Sequence, residues 1–404
     1  MANSLLTIDM VTKEALRVAH EKCQFIGTVD RSYDDSYAQT GAKIGSVLRV
    51  RKPNQYTRTQ GSRVMSVQEQ AELNGTITVA TQDHIDMSFN SAELALSIDE
   101  FSSRYIVPAM SSLVSGIESD FLAFATKATY NVAGTAGSPP TDLVAVGAAR
   151  AKLNQYLAPK DGNRFIQCDS VTMGGMVNGL KGLFQDSTQI KEQYREGMIG
   201  RTAMADWYEN DRMWTLTNGN DVTGTTDAAA LVTDGGSTID MHTTIAVSAQ
   251  VVGQVFTISG VFACHPETKQ AYSSLQQFTI TAIGATTTTI SPAIYLTGPR
   301  QNVCSSAGAK LATTDFNSKT LTFVGAASTS YVQNLMYHKE AFQFVTADLP
   351  LKADAQSCVR MTQDGLGLRV WRQGDIRNDE DLLRIDILYG FAALRPEWAC
   401  RITS

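Results

Sequence analysis

The sequence predicts an α+β protein in which a β-sheet packs on one long helix and an all-β domain is inserted in a surface loop. The helix is read from Ser102 to Tyr130, SSRYIVPAMSSLVSGIESDFLAFATKATY. Ile106, Met110, Leu113, Ile117, Phe121, Phe124 and Ala128 recur there at intervals of three and four, so they share one stripe. Ser112, Ser115, Ser119 and Lys127 take the opposite face, and Pro108 suits a first turn because it lacks only an N–H that has no helical partner there. At about 1.5 Å per residue the rod spans roughly 40 Å, a scaffold length. Its stripe is expected to be an intramolecular core rather than a coiled-coil seam. The sheet is read from the C-terminal stretch, where Leu383, Ile385 and Ile387 alternate with Arg384 and Asp386.

The inserted domain is read from composition. Thr223 to Ser330 hold twenty-one threonines, few charges and short runs such as QVFTISGVFA, LQQFTITAIG, TTTTISPAIYL and KTLTFVGA, with turn signals between them. This is the pattern of a small barrel or sandwich. The flanking chain is of mixed composition, and a tandem arrangement would leave only about seventy residues after Ser330 for a separate core.

Taken in order, Thr7 to about His20 reads as an amphipathic helix with Ile8, Val11, Ala15 and Val18 on one face, and DRSYDDSYAQTGAKIG as an extended arm. Asp142 to Leu157 reads as a second helix stopped by Ala158-Pro159, and Asp161 to Val171 as a turn and a strand. Between the arm and the long helix the charges separate. Lys43, Arg49, Arg51, Lys52, Arg58 and Arg63 lie in a stretch without acids, whereas Glu69, Glu72, Asp83, Asp86, Glu93, Asp99 and Glu100 lie in one without Lys or Arg. Both stretches alternate as strands do, which predicts a two-stranded excursion with a basic and an acidic arm. Such a ribbon is marginal alone and must lie on something. Cross-strand pairing within the chain and docking across subunits fit the pattern equally, while binding of a phosphate backbone is opposed by the acidic arm. Arg49, Arg51, Lys52, Arg58, Arg63, Glu69, Glu72, Asp83 and Asp86 are the candidate subunit contacts.

The chain has 404 residues, 18% of them charged, with a net charge of -6, which leaves no basic field for coating nucleic acid. Its first residues lack a secretory pattern and no run approaches the roughly 18 apolar residues of a membrane helix, so a soluble, unexported protein is expected. Six scattered cysteines without a C-x-x-C read as buried thiols, and the adjacent Cys264 and His265 fall short of the three or four ligands a metal site requires. MGGMVNGLKG has two glycines at phosphate-loop spacing, but Leu180 stands where the lysine must be, so a short closely packed helix is expected. DGLGLRV reads as a turn entering a strand. No nucleophile elbow, metalloprotease helix or calcium loop occurs, and the five histidines are dispersed. No catalytic residue, cofactor or metal is expected.

Several stretches, in their order along the chain, resemble a known family. They are ALRVAHEKCQFIGTVDRSYDDSY, GSVLRVRKP, SSRYIVPAMSSLVSGIESDFL, REGMIGRTAMADWYEND, GQVFTISGVFACHPETKQ and RIDILYGFAALRPEWACRI. Together they look like major capsid (coat) proteins of tailed double-stranded DNA bacteriophages, most of all the short-tailed-phage coat family with an inserted β-domain. The resemblance implies the capsid fold of the HK-ninety-seven type. Residues 1–40 would be the N-arm and 41–97 the extended loop. Residues 98–220 would hold the spine helix and the first part of the peripheral and axial domains, 221–330 the insert, and 331–404 the return. It further implies self-assembly as pentamers and hexamers into an icosahedral virion shell around the genome, in the host bacterial cytoplasm. The implied partners are a separate scaffolding protein, a portal protein, an optional decoration protein and packaged DNA by non-specific contact, with no membrane. A nanocompartment shell that encloses protein cargo is the alternative on the same fold.

Overall fold

The computed structural model describes residues 8–31, 47–61, 65, 67, 73–90, 102–180, 200–241, 245–351, 356–375 and 380–404. The chain divides into two compact units. One comprises Met1–Val50, Asn74–Phe121 and Phe342–Leu394; the other comprises Arg51–Leu73, Leu122–Ala341 and Arg395–Ser404.

The first unit is built on a five-stranded antiparallel sheet. Its order is Phe342–Ala347, Glu380–Ala393, Leu366–Asp375 and Ser357–Gln363, and Thr81–Asn90 also pairs with Glu380–Ala393. Asp364 and Gly365, both with positive φ, make the hairpin turn anticipated in DGLGLRV. The N-terminal helix Ile8–Lys22 buries Val11, Ala15, Leu16, Val18 and Ala19 and packs on the Ser357–Gln363 and Leu366–Asp375 strands. A π-helical turn at Ser102–Ile106 leads into the long helix Val107–Ala128, with Pro108 in its first turn. Phe121 on this helix lies 4.8 Å from Phe25 and stacks at 5.1 Å on Phe391. On another part of the unit, Ile77, Val79, Val345, Ala347, Leu349, Leu388 and Ala392 form an apolar cluster. Gly390 is required there, because a Cβ would strike the carbonyl oxygen of Thr78.

In the second unit, a mixed sheet runs in the order Val132–Ala133, Ala399–Thr403, Ser330–His338, Arg164–Cys168, Ala205–Glu209 and Arg201–Thr202. Helices Leu143–Gln155 and Ser170–Leu180 cover it through Val146, Ala149, Leu153, Met173 and Met176. Asp142 caps the first of these, accepting from the Val144 amide at 3.0 Å. The second is the MGGMVNGL stretch, where Gly179 packs on the Thr141 carbonyl with no space for a side chain.

The threonine-rich segment forms a sheet of its own. All seven strands lie between Thr223 and Phe323, in an antiparallel path that starts at Gly236–Ile239 and ends at Thr223–Thr225, two strands that do not pair with each other. Phe256, Ile258, Phe278, Ile280, Leu321 and Phe323 form its apolar side. The pattern left barrel and sandwich open; here segments carrying Ala230, Val232, Met241, Ile245, Ala249 and Phe316 join the strands' core in place of a second sheet.

Polar contacts tie this sheet to its surroundings in the unit. The Gln277 amide pairs with both backbone groups of Val132, and the Tyr272 hydroxyl donates to the Gln155 carbonyl. Arg401 is fully buried and donates to the carbonyls of Thr129 (2.7 Å), Gly253 (2.6 Å) and Lys127 (3.3 Å) and to the Thr279 hydroxyl (3.0 Å). Replacing it by methionine strands these acceptors, so Arg401→Met is expected to lower unfolding stability by about 3 kcal/mol. Denaturant titration of the unassembled protein measures the change.

Candidate functional site

The charged loop begins on the Val47–Lys52 strand, which forms a two-stranded sheet with Leu73–Thr78. Val47, Arg49 and Arg51 are exposed, and Leu48, Val50 and Lys52 are half-buried. Leu48 and Val50 pack on the cluster around Leu388 and Ala392. Side chains alternate along a strand, so Arg49 and Arg51 are turned to the opposite, solvent-facing side. Arg58 is also exposed. The Lys52 ammonium has its pKa lowered by burial, against the nearby Glu397 carboxylate, which raises it. Arg63, Glu69 and Glu72 lie outside the described residues.

The acidic stretch pairs differently from the expected ribbon. Thr81–Asn90, carrying Asp83 and Asp86, runs beside Glu380–Ala393 over the register Asn90↔Glu380 to Thr81↔Tyr389, while the shorter Leu73–Thr78 lies beside the basic strand. The partner is about three hundred residues away in sequence, and charge alternation alone does not identify it. Half-buried Asp83 accepts from the Tyr389 hydroxyl at 2.8 Å, raising the phenol's pKa on top of the larger effect of burial. Exposed Asp86 lies 3.0 Å from His84 and 3.7 Å from Arg384. The Arg384 guanidinium also binds Asp386, which is fully buried and paired with Arg369 at 2.6 Å. Burial pushes the Asp386 carboxyl up, and the two guanidinium groups overcome this and hold it below the usual carboxylate range.

Along the long helix, Ile106, Met110, Leu113, Ile117 and Phe121 are buried, and Phe124 is half-buried. Val114, Glu118, Leu122 and Ala125 are buried as well, which widens the stripe. Glu118 is the residue that sequence reasoning missed. Its carboxylate accepts from the amides of Gln24 (2.7 Å) and Ile26 (3.2 Å), at the N-terminal end of the short helix Phe25–Thr28. The available signal was its position, four residues after Val114 and three before Phe121, on the apolar side of the helix. No group of three or more His, Cys, Asp or Glu able to hold a metal ion occurs among the described residues. Nor is any described helix long and apolar enough to cross a membrane. Cys168, Cys264, Cys304 and Cys400 are buried free thiols, and Cys23 and Cys358 are half-buried.

A family profile described as P22 coat protein - gene protein 5 matches residues 1–401. The chain belongs to this coat protein family: it is a structural capsid protein of a tailed bacteriophage, with the capsid fold of the HK-ninety-seven type, and it forms the virion shell. The match favours a coat protein over a nanocompartment shell. Among solved structures, a chain from Mycobacterium phage Che8 is similar at 12% identity and a TM-score of 0.48, over 94% of this chain and 90% of that one. The asymmetric unit of the bacteriophage PhiM1 mature capsid is similar at 12% identity and 0.40, over 94% and 90%. A virus-like particle from Pyrococcus furiosus is similar at 8% and 0.35, over 97% of each chain. No curated protein sequence matches.

An unpaired carboxylate on the buried side of the long helix has no compensating donor, at a cost of several kcal/mol. Ile117→Asp is therefore expected to yield insoluble protein. Soluble protein at the wild-type yield, in a comparison of expression fractions, would place Ile117 on the wrong side of the helix.

Proposed function

We propose that the chain assembles as pentamers and hexamers into a closed icosahedral shell that encloses double-stranded DNA. Assembly takes place in the bacterial cytoplasm around a separate scaffolding protein. A portal protein occupies one vertex, and a decoration protein is an optional addition. Contact with the packaged DNA is non-specific. The observation that carries this reading is the basic strand, whose apolar side is held on the sheet while Arg49 and Arg51 are presented to solvent.

Closing a shell from one polypeptide requires several contacts per copy, each weak enough to reverse and jointly strong through multiplicity. Exposed charges suit that role, since they steer encounter and select partners more than they add affinity. Arg49, Arg51, Lys52, Arg58 and Arg63 on one arm, with Glu69, Glu72, Asp83 and Asp86 on the other, are the proposed subunit contacts. Asp83 and Asp86 would act from the sheet strand rather than from the loop. The proposed divisions are an N-arm at 1–40, an extended loop at 41–97, the spine with peripheral and axial parts at 98–220 and 331–404, and an insert at 221–330. Among the described residues the insert's apolar core draws on positions between Val222 and Phe323, which supports treating it as a separate folding unit.

Reversing Arg49, Arg51 and Arg58 to Glu is expected to leave the circular dichroism of the monomer nearly unchanged and to abolish closed particles in sedimentation. Particles at the normal yield would remove the loop from the assembly contacts. The fragment 221–330, expressed alone, is expected to give a β-rich spectrum and a cooperative melt. A disordered spectrum would make the insert dependent on the rest of the chain.

A further inference from the structure

Beside the buried Arg401 lies a cavity of about 10 Å³ in the second unit. Val132, Leu216, Val255 and Val324 give it apolar walls, and Arg401, Thr403 and Gln333 bring polar side chains to it. Arg401 is fully buried, and Thr403 and Gln333 are each 2% exposed. Arg401 and Thr403 stand two residues apart on the Ala399–Thr403 strand, so their side chains leave the same face. Gln333, on the Ser330–His338 strand, is directly opposite Thr403 in the register. Val255 begins the Val255–Cys264 strand of the threonine-rich sheet.

Two hydrogen-bonding groups on this lining have no protein partner. The Thr403 hydroxyl is buried and makes no hydrogen bond. A guanidinium carries five N–H groups. Arg401 places four of them: Nε on the Thr129 carbonyl, Nη1 on that of Gly253, and Nη2 on the Lys127 carbonyl and the Thr279 hydroxyl. The remaining N–H, on Nη1, has no acceptor among the described residues. Gln333 does not relieve either group, since its amide nitrogen reaches the Tyr331 carbonyl at a long 3.4 Å. Burying a hydroxyl unmet is costly, and burying an N–H of a charged group unmet is more so.

We propose that the cavity binds one structural water molecule, which accepts from the remaining Arg401 N–H and hydrogen-bonds the Thr403 hydroxyl, with the Gln333 amide as its third neighbour. The volume suits a single water, and a water that both accepts and donates meets both groups at once. A metal cation is repelled by the guanidinium, and an apolar guest would leave both polar groups unmet. A halide would find one charged N–H and one hydroxyl among largely apolar walls, too little to replace its hydration. The water lies where Arg401 reaches Gly253 and Thr279, so the joint between the mixed sheet and the threonine-rich sheet is wet rather than fully packed.

The test uses the full-length protein. A density map of the shell, at a resolution that shows ordered waters, is expected to hold one peak within about 2.7–3.2 Å of both Thr403 Oγ1 and Arg401 Nη1. An empty cavity would overturn the proposal. Thr403→Val removes the hydroxyl at nearly constant volume, and its effect has opposite signs in the two cases. With the water bound, a made hydrogen bond is lost, and the unfolding equilibrium constant of the unassembled protein is expected to rise roughly fivefold or more in denaturant titration. In a dry cavity an unmet hydroxyl is removed, so equal or greater stability of the variant would also overturn the proposal. A chloride-dependent rise in the midpoint at constant ionic strength, abolished by Thr403→Val, would give the cavity to a halide and overturn it equally. Thr403→Ser keeps the hydroxyl and is expected to keep the peak, so the maps decide even where the valine variant does not fold.

Discussion

A guanidinium buried without a carboxylate fixes the larger unit. Desolvating a charge is costly unless its hydrogen-bonding groups are satisfied, and Arg401 meets that demand with carbonyl oxygens alone, apart from the Thr279 hydroxyl. Two of those carbonyls, Lys127 and Thr129, belong to the C-terminal end of the long helix, where the backbone dipoles leave partial negative charge. Gly253 and Thr279 belong to the threonine-rich segment, and Arg401 itself sits in the Ala399–Thr403 strand. One side chain thus registers a helix end, a strand of the mixed sheet and the threonine-rich sheet against each other. Burial pulls its pKa down to about 9, which leaves it charged at neutral pH.

The smaller unit solves a similar problem with opposite charges. Asp386 is buried in the middle of a long strand, and Arg369 and Arg384 reach it from the neighbouring strand and from its own. A pair of this kind adds little net stability over an apolar substitute, but it penalises any slip of register, because a slip of one residue would leave a buried charge unpaired. Apolar contacts supply the bulk of the core. Phe121 touches Phe25, Phe344 and Phe391, so segments distant in sequence converge on one turn of the long helix.

What the sequence made legible was local. The long helix, the second helix with its Asp142 cap, the Asp364-Gly365 hairpin and the threonine-rich β segment all follow from periodicity, composition or turn chemistry within a short window. What it hid was long-range pairing. Asp83 and Asp86 look like one arm of a ribbon until Glu380–Ala393 is found alongside them. Arg401 is indistinguishable in sequence from a solvated surface arginine, because its acceptors are backbone carbonyls with no composition signal. Glu118 was obscured in another way: carboxylates are so often exposed that an acid on an apolar stripe is easily assigned to the wrong face. The exposure of Arg49 and Arg51 was legible because alternation and charge coincide on the basic strand.

A coat protein must keep its core within one chain and reserve reversible contacts for its neighbours. The buried stripe of the long helix serves the first requirement, and the charged loop is the proposed carrier of the second. Cryo-electron microscopy of particles purified with the native genome tests this division most directly. The account predicts a closed icosahedral shell filled with DNA, with density for the Val47–Lys52 strand against an adjacent copy and the Ile117 side of the long helix packed within its own chain. A shell whose adjacent copies meet through the long helices, with the charged loop facing only solvent, would contradict it.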